Sequence, residues 1–304
     1  MKKTVLVIGG SYFTGRVFSI FASKGDEFIL HVVNRGKYRL NLPGVIEYKC
    51  DRHDKKMLSD ILPDIHFDTV VDFCGYNPGE IKMMIDILPD MPGQYIFIST
   101  ASIYATKGFK KEDDPVLEMV PETPDPVADY IFKKVQLENE LRDTCAGKGI
   151  PFTIARPNFI YGPYNYAPRE SYFIRQIVKG IPVPYPVDAT AKFSMVYVLD
   201  VARALGIFAA NEKAYNEAFN LAGKEQVTYS MLFSELERIS GIPFEKRPVT
   251  VSRVMAENIP LPFPLESDDL TSGEKMTHYF GFEYTSFADG MAKAFAAFKS
   301  VFTS

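Results

Sequence analysis

Through the first half of this 304-residue chain, short runs of β-branched and aromatic residues alternate with longer stretches whose apolar positions recur every three or four residues. The short runs predict strands at Thr4–Ile8, Ile29–Val33, Val45–Lys49, Thr69–Phe73, Gln94–Ser99 and Phe152–Ala155. The longer stretches predict helices near Gly15–Ser23, Lys55–Leu62, Glu80–Leu88 and Ala128–Ala146. Strand and helix alternating in this way build a parallel sheet with crossover helices. Val, Ile and Phe at consecutive positions mean strands covered on both faces, so the expected class is α/β with a doubly wound parallel sheet. Right-handed crossovers bring every strand's C-terminus to one edge, where ligands bind in such sheets.

Beyond Pro163 the periodicity fades. Tyr164–Arg169, Ile181–Pro186 and Ile259–Pro264 are rich in aromatic residues and proline. Proline interrupts helices and central strands, so these segments read as loops that shape a pocket. The chain is expected to return to the sheet near Phe193–Val198 and Glu217–Leu221. That divides it into a sheet domain, 1–163 with 188–228, and a smaller, discontinuous C-terminal substrate-binding region, 164–187 with 229–304.

Composition narrows the function class. The chain is 46% hydrophobic and 24% charged, as in soluble globular proteins, and its formal net charge of −4 gives no reason to expect nucleic-acid binding. The apolar run after Lys2-Lys3 stops at Gly9-Gly10, too short for a signal peptide's hydrophobic region, and no run reaches the length of a membrane span. No membrane association is expected. Cys50, Cys74 and Cys145 are scattered thiols without C-x-x-C spacing, and His31, His53, His66 and His278 are as dispersed. This fits a reducing cytoplasm and no metal site.

Chemistry collects where strands end. The first strand runs into Gly9-Gly10-Ser11-Tyr12-Phe13-Thr14-Gly15. A glycine-rich turn between strand and helix lets the backbone approach a pyrophosphate, whose charge the helix N-terminus stabilises. After the second strand, Asn34 can bond a ribose hydroxyl and Arg35 can pair with a 2′-phosphate, which leaves NAD or NADP open. Asp51-Arg52, after the third, is a candidate for the adenine. After the fifth, Ser99-Thr100 puts hydroxyls at the sheet edge. Tyr130 and Lys134 stand one helical turn apart and share a face. Bringing a phenol from about 10 to about 7 takes about 4 kcal/mol. An ammonium about 4 Å away supplies that much at an effective dielectric near 20. In a chain with 17 tyrosines this spacing arises about once by chance, so the pair draws its weight from its company.

That company resembles a known family. The Gly9–Gly15 turn, Ser99-Thr100, Tyr130 with Lys134, Arg156–Pro163, Phe193–Arg203 and Tyr279–Phe282 occur in the order found in extended short-chain dehydrogenases/reductases. The chain is similar throughout to their NAD-dependent epimerase/dehydratase branch, which has a Rossmann fold. The resemblance implies that Tyr130 is the acid/base and that Lys134 binds the nicotinamide ribose while lowering the tyrosine's pKa. Thr100 would hydrogen-bond the reacting oxygen. Gly9, Ser11, Tyr12, Phe13, Thr14, Gly15, Asn34, Arg35, Asp51, Arg52, Cys74, Gly75, Ser99, Pro157 and Asn158 would hold the dinucleotide. Two departures stand out. Tyr12 takes the place of the middle glycine, and Ala101-Ser102 replace the Asp-Glu of dehydratases, which argues against water elimination. The Asn34-Arg35-Gly36 turn is similar to that of a subgroup related to chloroplast stem-loop RNA-binding proteins.

The implied activity is nucleotide-sugar epimerisation by transient oxidation of a sugar hydroxyl. Thr100, Tyr130 and Arg169 would contact the substrate, with Arg169 and Arg175 as candidates for its diphosphate. An NADPH-consuming carbonyl or sugar reductase and a non-redox RNA-associated binding protein stand as alternatives. The helix after Tyr130 and Glu80–Leu88 resemble the pair through which family members form homodimers.

Overall fold

The computed structural model describes residues 1–118 and 125–303. Its strands in chain order are β1 (Lys3–Ile8), β2 (Phe28–Asn34), β3 (Val45–Lys49), β4 (Thr69–Asp72), β5 (Tyr95–Ile98), β6 (Gly108–Lys110) and β7 (Phe152–Pro157), followed by β8 (Phe159–Tyr161), β9 (Val183–Pro186), β10 (Phe193–Tyr197), β11 (Glu217–Leu221), β12 (Gln226–Val227), β13 (Lys246–Val249) and β14 (Asp269–Thr271). The helices are α1 (Phe13–Ala22), α2 (Lys55–Ile61), α3 (Glu80–Ile87), α4 (Pro126–Lys148), α5 (Glu170–Val178), α6 (Val198–Phe208), α7 (Tyr229–Ser240), α8 (Val251–Glu257), α9 (Glu274–Phe280) and α10 (Phe287–Thr303). Among the described residues no helix is long and apolar enough to cross a membrane.

Seven strands form the main sheet in the order β11-β7-β5-β4-β1-β2-β3, and every pairing is parallel. The order reverses between β1 and β4, which opens a crevice at their C-terminal ends. The consecutive apolar residues of β1 divide by the two-residue period of a strand. Val5 and Val7 face Phe18, Val201 and Leu205 on one side; Leu6 and Ile8 face Ile81, Leu137 and Leu141 on the other. This is the doubly wound sheet that the pattern predicts, with strand ends displaced by two residues at most.

One expectation is corrected. Phe193–Tyr197 does not rejoin the main sheet. It pairs with β8, β12 and β14 in a second sheet ordered β12-β10-β14-β6. A strand buried on both faces reads the same in either sheet, and β8, which follows β7 after Asn158 alone, captures β10 as its parallel partner. The proline-rich Val183–Pro186 is a short strand paired with Lys246–Val249 in a two-stranded ladder, where proline's missing N–H is tolerated.

Candidate functional site

The glycine turn is built by close approach. Gly9 has φ 85°, and a Cβ on Gly15 would lie 2.4 Å from the Gly9 carbonyl oxygen, so α1 crosses the end of β1 at a distance only glycine allows. The left-handed residue that starts the helix is Phe13, at φ 37°. Tyr12, the N-cap, makes no side-chain bond to the helix, and the first turn holds no acidic residue. The N-terminal N–H groups and the positive end of the helix dipole are thus left for an anion. Two buried polar atoms nearby, Arg16 Nε and Ser99 Oγ, lack a hydrogen-bond partner among the described residues. An uncapped helix start and orphaned donors are what a dinucleotide would complete, and the turn residues Gly9, Ser11, Thr14 and Gly15 fit one.

The residue in place of the middle glycine does something the sequence does not disclose. The Tyr12 ring is stacked between Tyr38 at 4.9 Å and Tyr166 at 5.1 Å. This column ties the glycine turn to the loop after β2 and to the loop before α5.

Several expected cofactor contacts are engaged within the protein. Asn34 donates to Glu47 at 3.1 Å and accepts from the Gly36 N–H at 2.7 Å, so its carboxamide shapes the turn after β2. Arg35 beside it is exposed, as are Lys37 and Arg39. Arg52, expected beside the adenine, is instead turned into the protein: it is 6% exposed and donates bidentately to Asp72 at 2.8 and 3.0 Å and to the Glu80 carbonyl at 3.0 Å, with its Nε left without a hydrogen-bond partner among the described residues. Asp51 remains at the surface. The His53 backbone N–H and imidazole hold its carboxyl below the usual range. Cys74 packs under Gly9, and burial pushes its thiol up to about 12. Asn158 donates to Thr271 at 2.7 Å and accepts from the Phe159 N–H at 2.8 Å, joining the end of β7 to β14. Pro157 closes β7 opposite Leu221 of β11.

Thr100, just after β5, comes together with Tyr130 and Lys134 in the first turns of α4. Thr100 caps a single 3₁₀ turn, Ala101–Ile103, accepting from the Ser102 N–H at 3.2 Å. The 23-residue helix α4 starts at Pro126, with Asp125 accepting from the Val127 N–H at 3.1 Å, and this start sets Tyr130 one turn in. The Thr100 hydroxyl faces the Tyr130 phenol and favours its ionised form. Lys134 shares the tyrosine's face but turns inward. Its Nζ, 5.8 Å from the Tyr130 ring centre, donates to the Ile98 carbonyl at 2.7 Å and the Gly75 carbonyl at 3.0 Å. The expected lowering of the phenol by Lys134 is therefore corrected. Although Tyr130 as a whole is 38% exposed, its phenol is pushed up to about 12, because the protein packed around it and the Tyr166 phenol outweigh the Arg169 charge and the Thr100 hydroxyl. Lys134, 3% exposed, is pulled down to about 8 by its own burial, against the opposing charges of Asp72 and Cys74.

Arg169 lies over the Phe159 ring at 5.4 Å, donates to the Ile160 carbonyl at 2.9 Å and extends its charge to Tyr130 and Tyr166. Arg175 is on the exposed side of α5, away from that group. Sequence reasoning missed Glu170, whose only signal is its place at the first position of α5. Fully buried, it accepts from the Gly162 N–H at 2.8 Å and from Asn165, and burial raises its carboxyl to about 7. From pH 4.5 to about 7 the folded chain keeps a proton that the unfolded chain has released, so stability falls as pH rises through that window. Glu170→Gln, which keeps an acceptor for Gly162, is expected to flatten the pH profile of the unfolding free energy there by on the order of 3 kcal/mol, read by urea unfolding at each pH. Parallel wild-type and variant profiles would refute this assignment.

A cavity of about 1000 Å³ opens beyond β11, lined in part by Thr271, the residue that Asn158 holds. It contains neither Thr100, Tyr130 nor Lys134.

Residues 81–222 match the NAD dependent epimerase/dehydratase family. A chloroplast stem-loop binding protein of 41 kDa from Arabidopsis thaliana (form b) is 30% identical over 257 residues. That alignment covers 80% of this chain, and the chain spans 64% of the length of that relative. In fold the chain is similar to the UDP-glucuronic acid 4-epimerase of Bacillus cereus, solved in complex with NAD. The TM-score is 0.76 at 19% identity, over 99% of this chain and 98% of that one. It is also similar to the UDP-glucose 4-epimerase of Thermotoga maritima, solved with UDP-glucose, at a TM-score of 0.74 and 20% identity over 98% and 99%.

Proposed function

We propose that this chain is an NAD(P)-dependent nucleotide-sugar epimerase of the NAD-dependent epimerase/dehydratase family, with Tyr130 as its acid/base. The observation that carries the reading is that Thr100, just after β5, and Tyr130, one turn into α4, stand together at the sheet edge, on the same edge as a glycine turn with an uncapped helix start. A nicotinamide dinucleotide, when bound, supplies a reversible hydride acceptor. Gly9 and Gly15 would let its pyrophosphate close on the backbone, and the N-terminus of α1 would hold its charge.

Thr100 would hold the reacting oxygen while the Tyr130 phenol takes the hydroxyl proton. With a reversible hydride acceptor, epimerisation at that carbon would leave no net redox change. Arg169 and Thr100 both favour the phenolate, in the direction a base requires. Lys134 would act as a positioning residue, fixing the Ile98 and Gly75 carbonyls that flank the crevice. The UDP-sugar epimerases among the fold neighbours support a nucleotide sugar as substrate. Denaturing release of the ligand from purified protein, followed by mass spectrometry, tests the proposal. Tightly held NAD or NADP with no net turnover of cofactor supports it, whereas absence of any dinucleotide, even after incubation with both, overturns it.

One observation favours the reductase reading. Arg35, Lys37 and Arg39 are all exposed after β2, and the Asn34 carboxamide is already engaged, a setting suited to a 2′-phosphate. Arg35→Ala is expected to weaken NADP binding about 10- to 100-fold, as for loss of a charge-assisted hydrogen bond, and to leave NAD nearly unchanged. Calorimetric titration with each dinucleotide checks this; equal loss for both would remove Arg35 from the 2′ position.

A further inference from the structure

The cavity beyond β11 has a composition that specifies its occupant. Its inner wall carries three buried hydroxyl side chains, Ser194, Thr271 and Ser272. Phe109, Tyr279 and Tyr284 add aromatic rings. The charged residues are mixed. Lys111, Lys224 and Lys275 are met by Glu112 and Asp113 from the loop after β6 and by Glu217 and Glu274. Lys275 is already paired with Glu217 at 2.7 Å.

Three lysines against four carboxylates leave no positive surplus to hold a phosphate or diphosphate. Nor is the lining apolar enough for a lipid tail. What it does offer is closely spaced donors and acceptors beside aromatic rings, at a volume within the usual range for small-molecule sites. Glu112 is held from behind, its Oε1 accepting the Asn220 N–H at 2.9 Å. Its other oxygen has no hydrogen-bond partner among the described residues.

We propose that this cavity is a binding site for an uncharged, polyhydroxylated glycosyl group, separate from the Thr100–Tyr130 site. Carboxylates and lysines accept from and donate to sugar hydroxyls, and aromatic rings cover the sugar's C–H faces. The site reaches the catalytic edge through Thr271, which Asn158 grips at the end of β7, one strand over from β5 and Thr100. It does not depend on the nucleotide-sugar reading, and its occupant carries no diphosphate.

His278, one of four histidines in the chain, lines the cavity and is exposed, so its imidazole signal reports occupancy. With the full chain, lactose and cellobiose are titrated in turn and followed by proton NMR, the His278 line being assigned with His278→Gln. At least one of the two is expected to shift that line along a saturable millimolar curve, with His31 and His66 unmoved, whereas UDP leaves it in place. Glu112→Gln, with its other histidine lines unchanged as a check of folding, is expected to weaken the sugar about tenfold. A His278 line unmoved by both sugars, one moved as strongly by UDP, or wild-type affinity in Glu112→Gln would overturn the proposal. Dinucleotide binding is read separately at His53, 2.8 Å from Asp51. Failure of the dinucleotide reading would appear there and leave the His278 result standing.

Discussion

Tyr130→Phe lowers turnover by about 10²–10⁴-fold, the range general acid–base catalysis commands, while dinucleotide binding is retained. The substitution is clean because it keeps the ring, which lies over Lys134, and removes only the hydroxyl that faces Thr100. Lys134 would be a poorer probe. Its ammonium ties two backbone carbonyls at 2.7 and 3.0 Å, so its loss disturbs the crevice and the chemistry together. The measurement is epimerisation of the identified sugar under single-turnover conditions, beside a dinucleotide titration. A variant that kept more than about a tenth of wild-type turnover would take Tyr130 out of the proton path. A variant that lost dinucleotide binding to the same degree would make its role one of assembly.

What the sequence discloses follows the range over which its interactions act. Strand positions in the main sheet and the Gly9–Gly15 turn are encoded in contiguous residues, so alternation and spacing reveal them. The face shared by Tyr130 and Lys134 is equally local. The direction of the lysine is not, since its Nζ is fixed by carbonyls of Gly75 and Ile98, on other elements. The Tyr38–Tyr12–Tyr166 column has the same character. The departure at Tyr12 is visible, but its meaning requires rings from two loops that only the fold brings together. Phe193–Tyr197 shows the converse limit: a wholly apolar strand announces burial without saying in which sheet. The roles of Arg52 and Glu170 follow from burial, and each reads as an ordinary charged residue in a loop or at a helix start.

Arg52 gives the second large expected effect, and it separates a structural from a ligand-binding role. Its guanidinium and the Asp72 carboxylate are 6% and 0% exposed, and Asp72 also accepts from the Tyr95 hydroxyl at 2.7 Å and the Cys74 N–H at 2.9 Å. Arg52→Leu leaves Asp72 buried without its counter-charge, which costs about 3–5 kcal/mol. At about 2–4 °C per kcal/mol for a chain somewhat smaller than this one, the melting temperature is expected to fall by about 6–20 °C. Arg52→Leu combined with Asp72→Leu removes both charges and recovers much of the loss, because an ion pair exchanged for packed apolar groups is often close to neutral. Urea unfolding of the two single variants and the double variant measures the coupling. Dinucleotide titration well below the unfolding midpoint then completes the test. If Arg52→Leu unfolds as the wild type does and instead loses dinucleotide, Arg52 contacts the adenine and its pairing with Asp72 is incidental. If stability collapses while the remaining folded fraction binds normally, the guanidinium belongs to the frame that holds β4 against the start of α3.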